Sequence, residues 1–524
     1  MKNIRLLDCT LRDGGCVNNF NFGSLYMNQI LKGVEESGVE IIELGYIDKQ
    51  AGSEQGRTQF CNEGVISQHF LKSKKKGTTY VAMVDFGKYD PDFLQPKEES
   101  GIDGIRLAFH KKNRKDILEW GRKILDKGYQ LFVQPMTCLR YSDFELLDLI
   151  QDVNTILPDA TAFYIVDSFG EMRLKDLNRI ANLVDHNLAP NIAMGLHSHN
   201  NLQLSYSNAV TLLNFRTERD MIFDSSIMGM GKGAGNMTTE LFAEHLNIYN
   251  GKKYNISSLL EVVDSTINQI RENYTWGYAI EYYLSAINQC TPSYAGHFYK
   301  KHTLSIAQVA ELLGMVREEK KISFDKNYAE ELYYQYNQKN YDDTNTLEEL
   351  KKKLDGKKVL IVAPGRTVKE NLETIREVSK QDDIVTVALN HIPIVKADFI
   401  LATKEAAYNI VKESKTPIIV TSNIVVDEEL IINYETWTTW GDEKHDNALS
   451  ILLNLLKTIN VRDLLLAGCD GFSSDMDENY FEEALKRPVT KEQAEDRNDS
   501  ISKILTDLQA SMNIVFVTPS KYSK

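Results

Sequence analysis

Short β-branched and apolar runs alternate with amphipathic helical stretches over roughly the first 240 positions. The runs Ile4–Thr10, Val39–Tyr46, Thr78–Phe86, Gly104–His110, Tyr129–Met136, Thr161–Asp167, Asn191–His197 and Met221–Ile227 read as strands. A helical period separates most of them, as in Asp116–Lys127 and Asp143–Ile156. Eight such units in a stretch of this length predict a TIM (β/α)8 barrel. A doubly wound open sheet is the rival. It is disfavoured because polar residues follow nearly every strand at its C-terminal end, where a barrel keeps its active site.

Beyond the eighth strand the period is helical alone, in Ile256–Ile270, Trp276–Gln289 and Ser305–Leu313, which predicts a helical extension packed on the barrel. Polar, Tyr-rich sequence at Tyr333–Thr346 reads as a linker. Alternation restarts at Lys357, with strands expected at Lys358–Ala363, Ile384–Leu389, Asp398–Ala402, Pro417–Thr421, Asp463–Ala467 and Asn513–Thr518. Helices are expected at Thr367–Ser379, Lys404–Glu413 and Asn447–Ile459. The expected organisation is a barrel over residues 1–240, a helical extension and linker over 241–345, and a Rossmann-like α/β domain over 357–524.

Composition narrows the partners. A net charge of −14 argues against a nucleic-acid polymer, and the run Lys74-Lys75-Lys76 reads as a solvated loop. The N-terminus lacks a long apolar stretch, and no run of about 20 apolar residues occurs that would span a membrane. The six cysteines are scattered without a CxxC pair and read as free thiols. A cytoplasmic location is therefore expected.

The chemistry gathers at the predicted strand ends. The first strand runs into Asp8-Cys9-Thr10-Leu11-Arg12-Asp13-Gly14-Gly15, and the seventh into His197-Ser198-His199-Asn200-Asn201. Residues two apart in an extended segment project to one side, so His197 and His199 can aim at one ion that Asp13 completes. Mixed nitrogen and oxygen donors with open positions suit Mn²⁺ or Mg²⁺. Such an ion polarises a 2-oxo acid as a Lewis acid. Arg12, next to Asp13, either donates to a developing enolate oxygen or salt-bridges a neighbouring carboxylate. The glycine-dense Gly229–Asn236 follows the last strand, where backbone can approach a ligand closely or bind a phosphate.

Together, Asp8–Gly14, His197–Asn201 with Leu202 and Ser207-Asn208-Ala209, and Gly229–Asn236 resemble the DRE-TIM metallolyase superfamily. Within it they are most similar to the 4-hydroxy-2-oxovalerate aldolases. Fainter matches lie at Arg106–His110, at Asp167-Ser168, and at Gly277-Tyr278-Ala279, which leads a helical stretch like those aldolases' communication domain. The resemblance spans about residues 4 to 315. It implies that Asp13, His197 and His199 are metal ligands and that Arg12 stabilises the enolate. It also sets Asn236 where related lyases have a metal-ligating asparagine, and Tyr278 near the substrate hydroxyl. Where the aldolases carry a histidine base, this chain has Cys16, a poor substitute. Either the proton leaves through His110, Tyr278 or a bound water, or the substrate differs from a simple hydroxyoxovalerate.

The second domain opens with Lys358–Thr367, a strand running through Ala363-Pro364-Gly365 into a helix, which is either a structural turn or an anion-holding one. With Ala388-Leu389-Asn390 and Leu466–Gly471 it faintly resembles bacterial sialyltransferase-like domains, but no histidine follows His445. That resemblance implies a nucleotide, sugar or phosphorylated ligand without glycosyl transfer. The function expected of the chain is a metal-dependent aldolase acting on a 2-oxo acid and an aldehyde. The alternatives are a Claisen-type acyl-CoA synthase and a non-catalytic ligand-binding protein. The synthases have aspartate where this chain has Asn201. A homo-oligomer is left open.

Overall fold

The structure is a computed structural model that describes residues 2–71, 74–301, 303–338, 341–441, 443–481, 486 and 489–523. The chain forms two compact units, Met1–Gly296 with Arg317–Ser323, and His297–Val316 with Phe324–Lys524.

The first unit is the predicted closed barrel. Its strands are β1 (Ile4–Asp8), β2 (Ile41–Ile47), β3 (Thr79–Asp85), β4 (Gly104–Phe109), β5 (Gln130–Pro135), β6 (Ala162–Asp167), β7 (Ala193–Ser198) and β8 (Met221–Ser225). All pair in parallel with their sequence neighbours. The ring closes where Ile4 to Asp8 align with Met221 to Ser225, and Leu7 and Asp8 with Ile41 and Ile42. Near-continuous apolar runs form these strands because both faces are covered: the outer face by helices, the inner by packed side chains. Leu6, Ile41, Leu44, Ile105, Leu131, Phe163 and Phe223 are buried in that core.

Every strand expected in the barrel is present, each within two residues of its predicted ends. The helix expected at Trp276–Gln289 is shorter, Ile280–Ile287. Gly277 sits at φ +109°, outside helical backbone, and delays its start.

The second unit holds seven parallel strands: β9 (Lys358–Val362), β10 (Ile384–Leu389), β11 (Phe399–Ala402), β12 (Ile418–Thr421), β13 (Leu430–Ile432), β14 (Asp463–Ala467) and β15 (Asn513–Phe516). Their spatial order is β13-β12-β11-β10-β9-β14-β15, an open doubly wound arrangement. The three-residue β13 was not expected from the pattern, being too short to show a period. The helix expected over Thr367–Ser379 is broken at Asn371 into Thr367–Glu370 and Leu372–Ser379.

The segment expected as a linker is built into this unit. Tyr333 is buried within the helix Lys326–Asn337, its hydroxyl donating to Asp446 at 2.8 Å, and Thr344 opens the helix Thr344–Leu354. Lys339 and Asn340 lie outside the described residues. Among the described residues, no helix is long and apolar enough to cross a membrane. All six cysteines are unpaired.

Candidate metal centre

At the end of β1 the chain turns sharply, with the amides of Arg12 and Asp13 both donating to the Cys9 carbonyl at 3.0 and 2.8 Å. This turn lays Arg12 and Asp13 over the C-terminal mouth of the barrel, where both are buried. His197 belongs to β7 and His199 follows it. As the extended spacing requires, their rings face one space, perpendicular and 5.1 Å apart between centroids. His197 Nε2 lies 3.2 Å and His199 Nε2 3.6 Å from the same oxygen, Asp13 Oδ2.

The far side of each imidazole fixes what the near side offers. His197 Nδ1 bonds Asp224 Oδ2 at 2.9 Å, and His199 Nδ1 donates to the Lys232 carbonyl at 3.2 Å. With Nδ1–H of His199 used in this way, its Nε2 presents a lone pair toward Asp13, and His197 Nε2 does the same when its ring is neutral. Asp13 Oδ2 and the two Nε2 atoms thus converge on one space, an arrangement that suits a cation. A fourth acceptor, Asn236 Oδ1, is buried without a hydrogen-bond partner. Its Nδ2 faces the Met230 carbonyl and Cys9 Sγ. The donor set fits a divalent ion, with Asp13, His197 and His199 as the residues that would hold it and Asn236 as a further oxygen.

Asp13 and His197 belong to a ring of buried charges. Arg12 Nη1 reaches Asp13 Oδ2 (3.0 Å) and Arg12 Nε reaches Glu43 Oε2 (2.8 Å). Arg106 Nη1 bonds the same Glu43 oxygen at 2.5 Å, and its Nη2 bonds Asp224 Oδ2. Asp224 holds His197, and His197 returns to Asp13. Three carboxylates therefore face two guanidiniums, with His197 bridging Asp13 and Asp224.

The electrostatics follow from burial and this pairing. Burial opposes charge on Asp13, yet Arg12 and the two histidines hold its carboxyl well below the usual range. Burial also opposes charge on His197, but its bonds to Asp13 and Asp224 leave its pKa raised. His199 lacks a carboxylate on its far side, and burial lowers it to about 4.

Cys9 was read from the sequence only as a free thiol. Its Sγ lies within 4.8 Å of ligand atoms of Asp13 and His197. Burial raises its pKa well above the ordinary value, and its place beside Asp13 and His197 makes it a further candidate donor for an ion. Glu43, Arg106 and Asp224 were not singled out as site residues, although each is a lone charge inside an apolar strand, a placement rare in cores without a partner. Asp85 was missed as well. It ends β3, and burial raises it to about 6 against the pull of Arg12.

The remaining expectations divide. Cys16 lies in the turn after Asp13, and burial with the Asp13 charge pushes its thiol up to about 12. His110 follows β4 at the same barrel end. It is half-buried, its pKa lowered by burial and by Lys112, and its Nδ1 has no partner; no hydrogen bond joins it to the cluster. Tyr278 is 59% exposed, and among the described residues no hydrogen bond joins it to Asp13, His197 or His199. The glycine-rich loop turns its amides inward, Lys232 N to Asp13 Oδ1 (3.1 Å) and Ala234 N to Asn201 Oδ1 (2.9 Å), so it braces the centre. Gly231 allows this: a Cβ there would lie 2.3 Å from Asn236 Nδ2 and 3.3 Å from Asp13 Oδ1.

Known proteins are similar to the first unit in sequence. Residues 110–266 match the HMGL-like family. A 4-hydroxy-2-oxovalerate aldolase from Geobacillus genomosp. 3 is 26% identical over 246 residues, 47% of this chain and 70% of that relative. One from Shewanella halifaxensis (strain HAW-EB4) is 25% identical over 289 residues, 53% of this chain and 83% of that relative. Among solved structures, the N-terminal domain of a candidate aldolase from Bacteroides vulgatus is 24% identical. It covers 56% of this chain and 96% of its own, with a TM-score of 0.49. The N-terminal half therefore carries an HMGL-like (DRE-TIM) domain. Its curated relatives over that half are named 4-hydroxy-2-oxovalerate aldolase.

Replacing Asp224 with Asn keeps the size of the side chain but removes the charge that orients and polarises His197. Calorimetric titration with Mn²⁺ should show affinity reduced about 10–100-fold relative to the native protein. Unchanged affinity would mean that the Asp224 contact does not set the His197 ligand.

Proposed function

We propose that the N-terminal unit is a divalent-metal-dependent aldolase that cleaves or forms a 4-hydroxy-2-oxo acid, with pyruvate as the common fragment. The observation that carries this reading is the convergence of Asp13, His197 and His199 beside a guanidinium with a spare donor. Arg12 Nη2 is buried and unpartnered, while its other nitrogens hold Asp13 and Glu43. Mn²⁺ or Mg²⁺ suits the mixed imidazole and oxygen donors, and when bound it polarises the keto group as a Lewis acid.

In the cleavage direction a base takes the proton from the 4-hydroxyl and the C3–C4 bond breaks. The aldehyde leaves, and the bond's electron pair moves toward the C2 oxygen. Arg12 Nη2 donates to that oxygen as its charge grows, in a site where burial strengthens the interaction. A proton added at C3 then completes pyruvate. Arg12 cannot itself deprotonate, so it stabilises the charge and the proton moves elsewhere.

The neutral Cys16 thiol is unsuited to take it. Asp85 is the better acceptor: a carboxyl at the end of β3, within the field of Arg12, Tyr46 and Cys16, titrating near 6. Relatives named 4-hydroxy-2-oxovalerate aldolase support the substrate class, and the aldehyde partner is a matter for assay.

Exchange of pyruvate methyl protons in D2O with Mn²⁺ present asks for enolisation without knowing the aldehyde. The native protein should exchange them. Arg12→Lys keeps the charge but loses the forked donor, and should be slowed about 10²–10³-fold with Mn²⁺ affinity nearly kept. A native protein that fails to exchange, or a variant as fast as it, would refute the reading.

The pH dependence tests Asp85 separately. Because its carboxylate is the active form and its pKa is raised to about 6, kcat/KM should climb with pH through about 6 and then level. Asp85→Asn should lower the plateau about 10²–10⁴-fold and abolish that climb. An identical ascending limb in the variant would assign the proton to another group.

A further inference from the structure

The second unit holds a cavity of about 250 Å³ that the barrel chemistry does not use. It lies outside the C-terminal ends of the parallel strands. The loops after β9 (Ala363–Gly365), β10 (Asn390), β11 (Thr403-Lys404) and β14 (Gly468–Phe472) line it. In the strand order β10-β9-β14, the chain runs one way from β9 through β10 and the other way through β14. The crevice between the β9 and β14 loops is therefore the topological switch point, where open α/β sheets bind ligands.

Glycine holds that crevice open and tight-walled. Gly365 N donates to the Gly468 carbonyl at 3.0 Å, and a Cβ on Gly365 would sit 2.2 Å from that oxygen. Gly468, at φ +67°, would meet the Ala363 carbonyl at 2.1 Å. The strand-end loops thus meet backbone to backbone at these glycines.

The charges around the cavity are mostly spent, with one exception. Asp470 accepts from the backbone and hydroxyl of Thr367, Asp446 accepts from Tyr333, and Lys301 pairs with Glu330 at 2.9 Å. Arg497, from the helix Lys491–Leu508, stacks its guanidinium over Phe472 at 5.2 Å and has no carboxylate partner among the described residues. The N-terminus of the eleven-residue helix Ala448–Thr458 borders the same space. A helix N-terminus and a planar guanidinium both favour a phosphate group. Asp446, whose Oδ2 accepts from Tyr333, lines the cavity with a carboxylate that suits a hydroxyl, while the Asn390 amide is bonded to Thr403. Tyr522 and Phe472 give flat apolar wall.

We propose that this cavity binds a small phosphorylated sugar, either free or as the ribose phosphate of a nucleotide, through Arg497. The proposal is independent of the aldolase reading, because every residue it uses lies in the second unit.

The test is calorimetric titration of the full-length protein with inorganic phosphate, glucose 6-phosphate, ribose 5-phosphate and the four ribonucleoside monophosphates. At least one sugar-bearing probe should bind at least tenfold more tightly than inorganic phosphate. Arg497→Gln should weaken that binding at least tenfold, whereas Asp13→Asn should leave it unchanged. Ala406→Phe, which places bulk from an exposed helix position into the cavity wall, should also weaken it, and guards against a fold defect in the Arg497 variant. Nucleotides binding more tightly than sugar phosphates would identify the base as part of the ligand; the reverse would identify a free sugar phosphate. Binding of no probe, equal binding of inorganic phosphate, or affinity unaffected by both cavity variants would overturn the proposal.

Discussion

A closed circuit of ionic hydrogen bonds inside the barrel mouth fixes the geometry of everything that acts there. Arg12 and Arg106 each bridge two carboxylates, Glu43 is shared between them, and His197 joins Asp224 to Asp13. Taking ions out of water costs several kcal/mol each, and such pairs seldom repay it as net stability. The reason for the circuit is positional. Removing one partner of a buried pair typically costs about 3–5 kcal/mol, because a charge is left without an answer. Each member therefore enforces the orientation of the next, and Asp13 and His197 inherit that rigidity. Glu43, Arg106 and Asp224 come from β2, β4 and β8, so the circuit also ties distant strands of the barrel together.

Much of this was legible in the chain, for local reasons. Strand and helix periods are short-range, and the barrel strands fall where alternation put them. The His197–His199 pair could be read because extended backbone projects alternate residues to one side. The rest of the circuit could not be read that way. Arg106 meets Asp224 across 118 residues and Glu43 across 63, and only closure of the barrel brings them together. What the sequence did display was three charges of mixed sign, each alone in an apolar strand: Glu43 in Ile41–Ile47, Arg106 in Gly104–Phe109 and Asp224 in Met221–Ser225. Such charges must find one another. Polar, Tyr-rich sequence misled at Tyr333, where the ring is buried and only the hydroxyl is satisfied, by Asp446 and Thr303.

The two units place their chemistry by one rule. Parallel strands gather the loops of their C-terminal ends, and both the charged circuit and the second cavity sit at such an end. The contents differ. In the barrel, acceptor atoms converge and call for a cation. In the second unit the Arg497 guanidinium has no carboxylate partner among the described residues and suits an anion. Glycine serves both by letting backbone approach where a Cβ would collide, at Gly231 beside Asp13 and at Gly365 beside Gly468.

The account stands on an ion bound by two imidazoles and the Asp13 carboxylate. Pulsed electron paramagnetic resonance of the Mn²⁺-loaded protein reads this directly, through coupling of the electron spin to ligand nitrogen. One equivalent of Mn²⁺ per chain with two histidine nitrogens coupled to it is the predicted result, falling to one nitrogen in His199→Gln. Mn²⁺ that binds without nitrogen coupling, or does not bind at all, would contradict it.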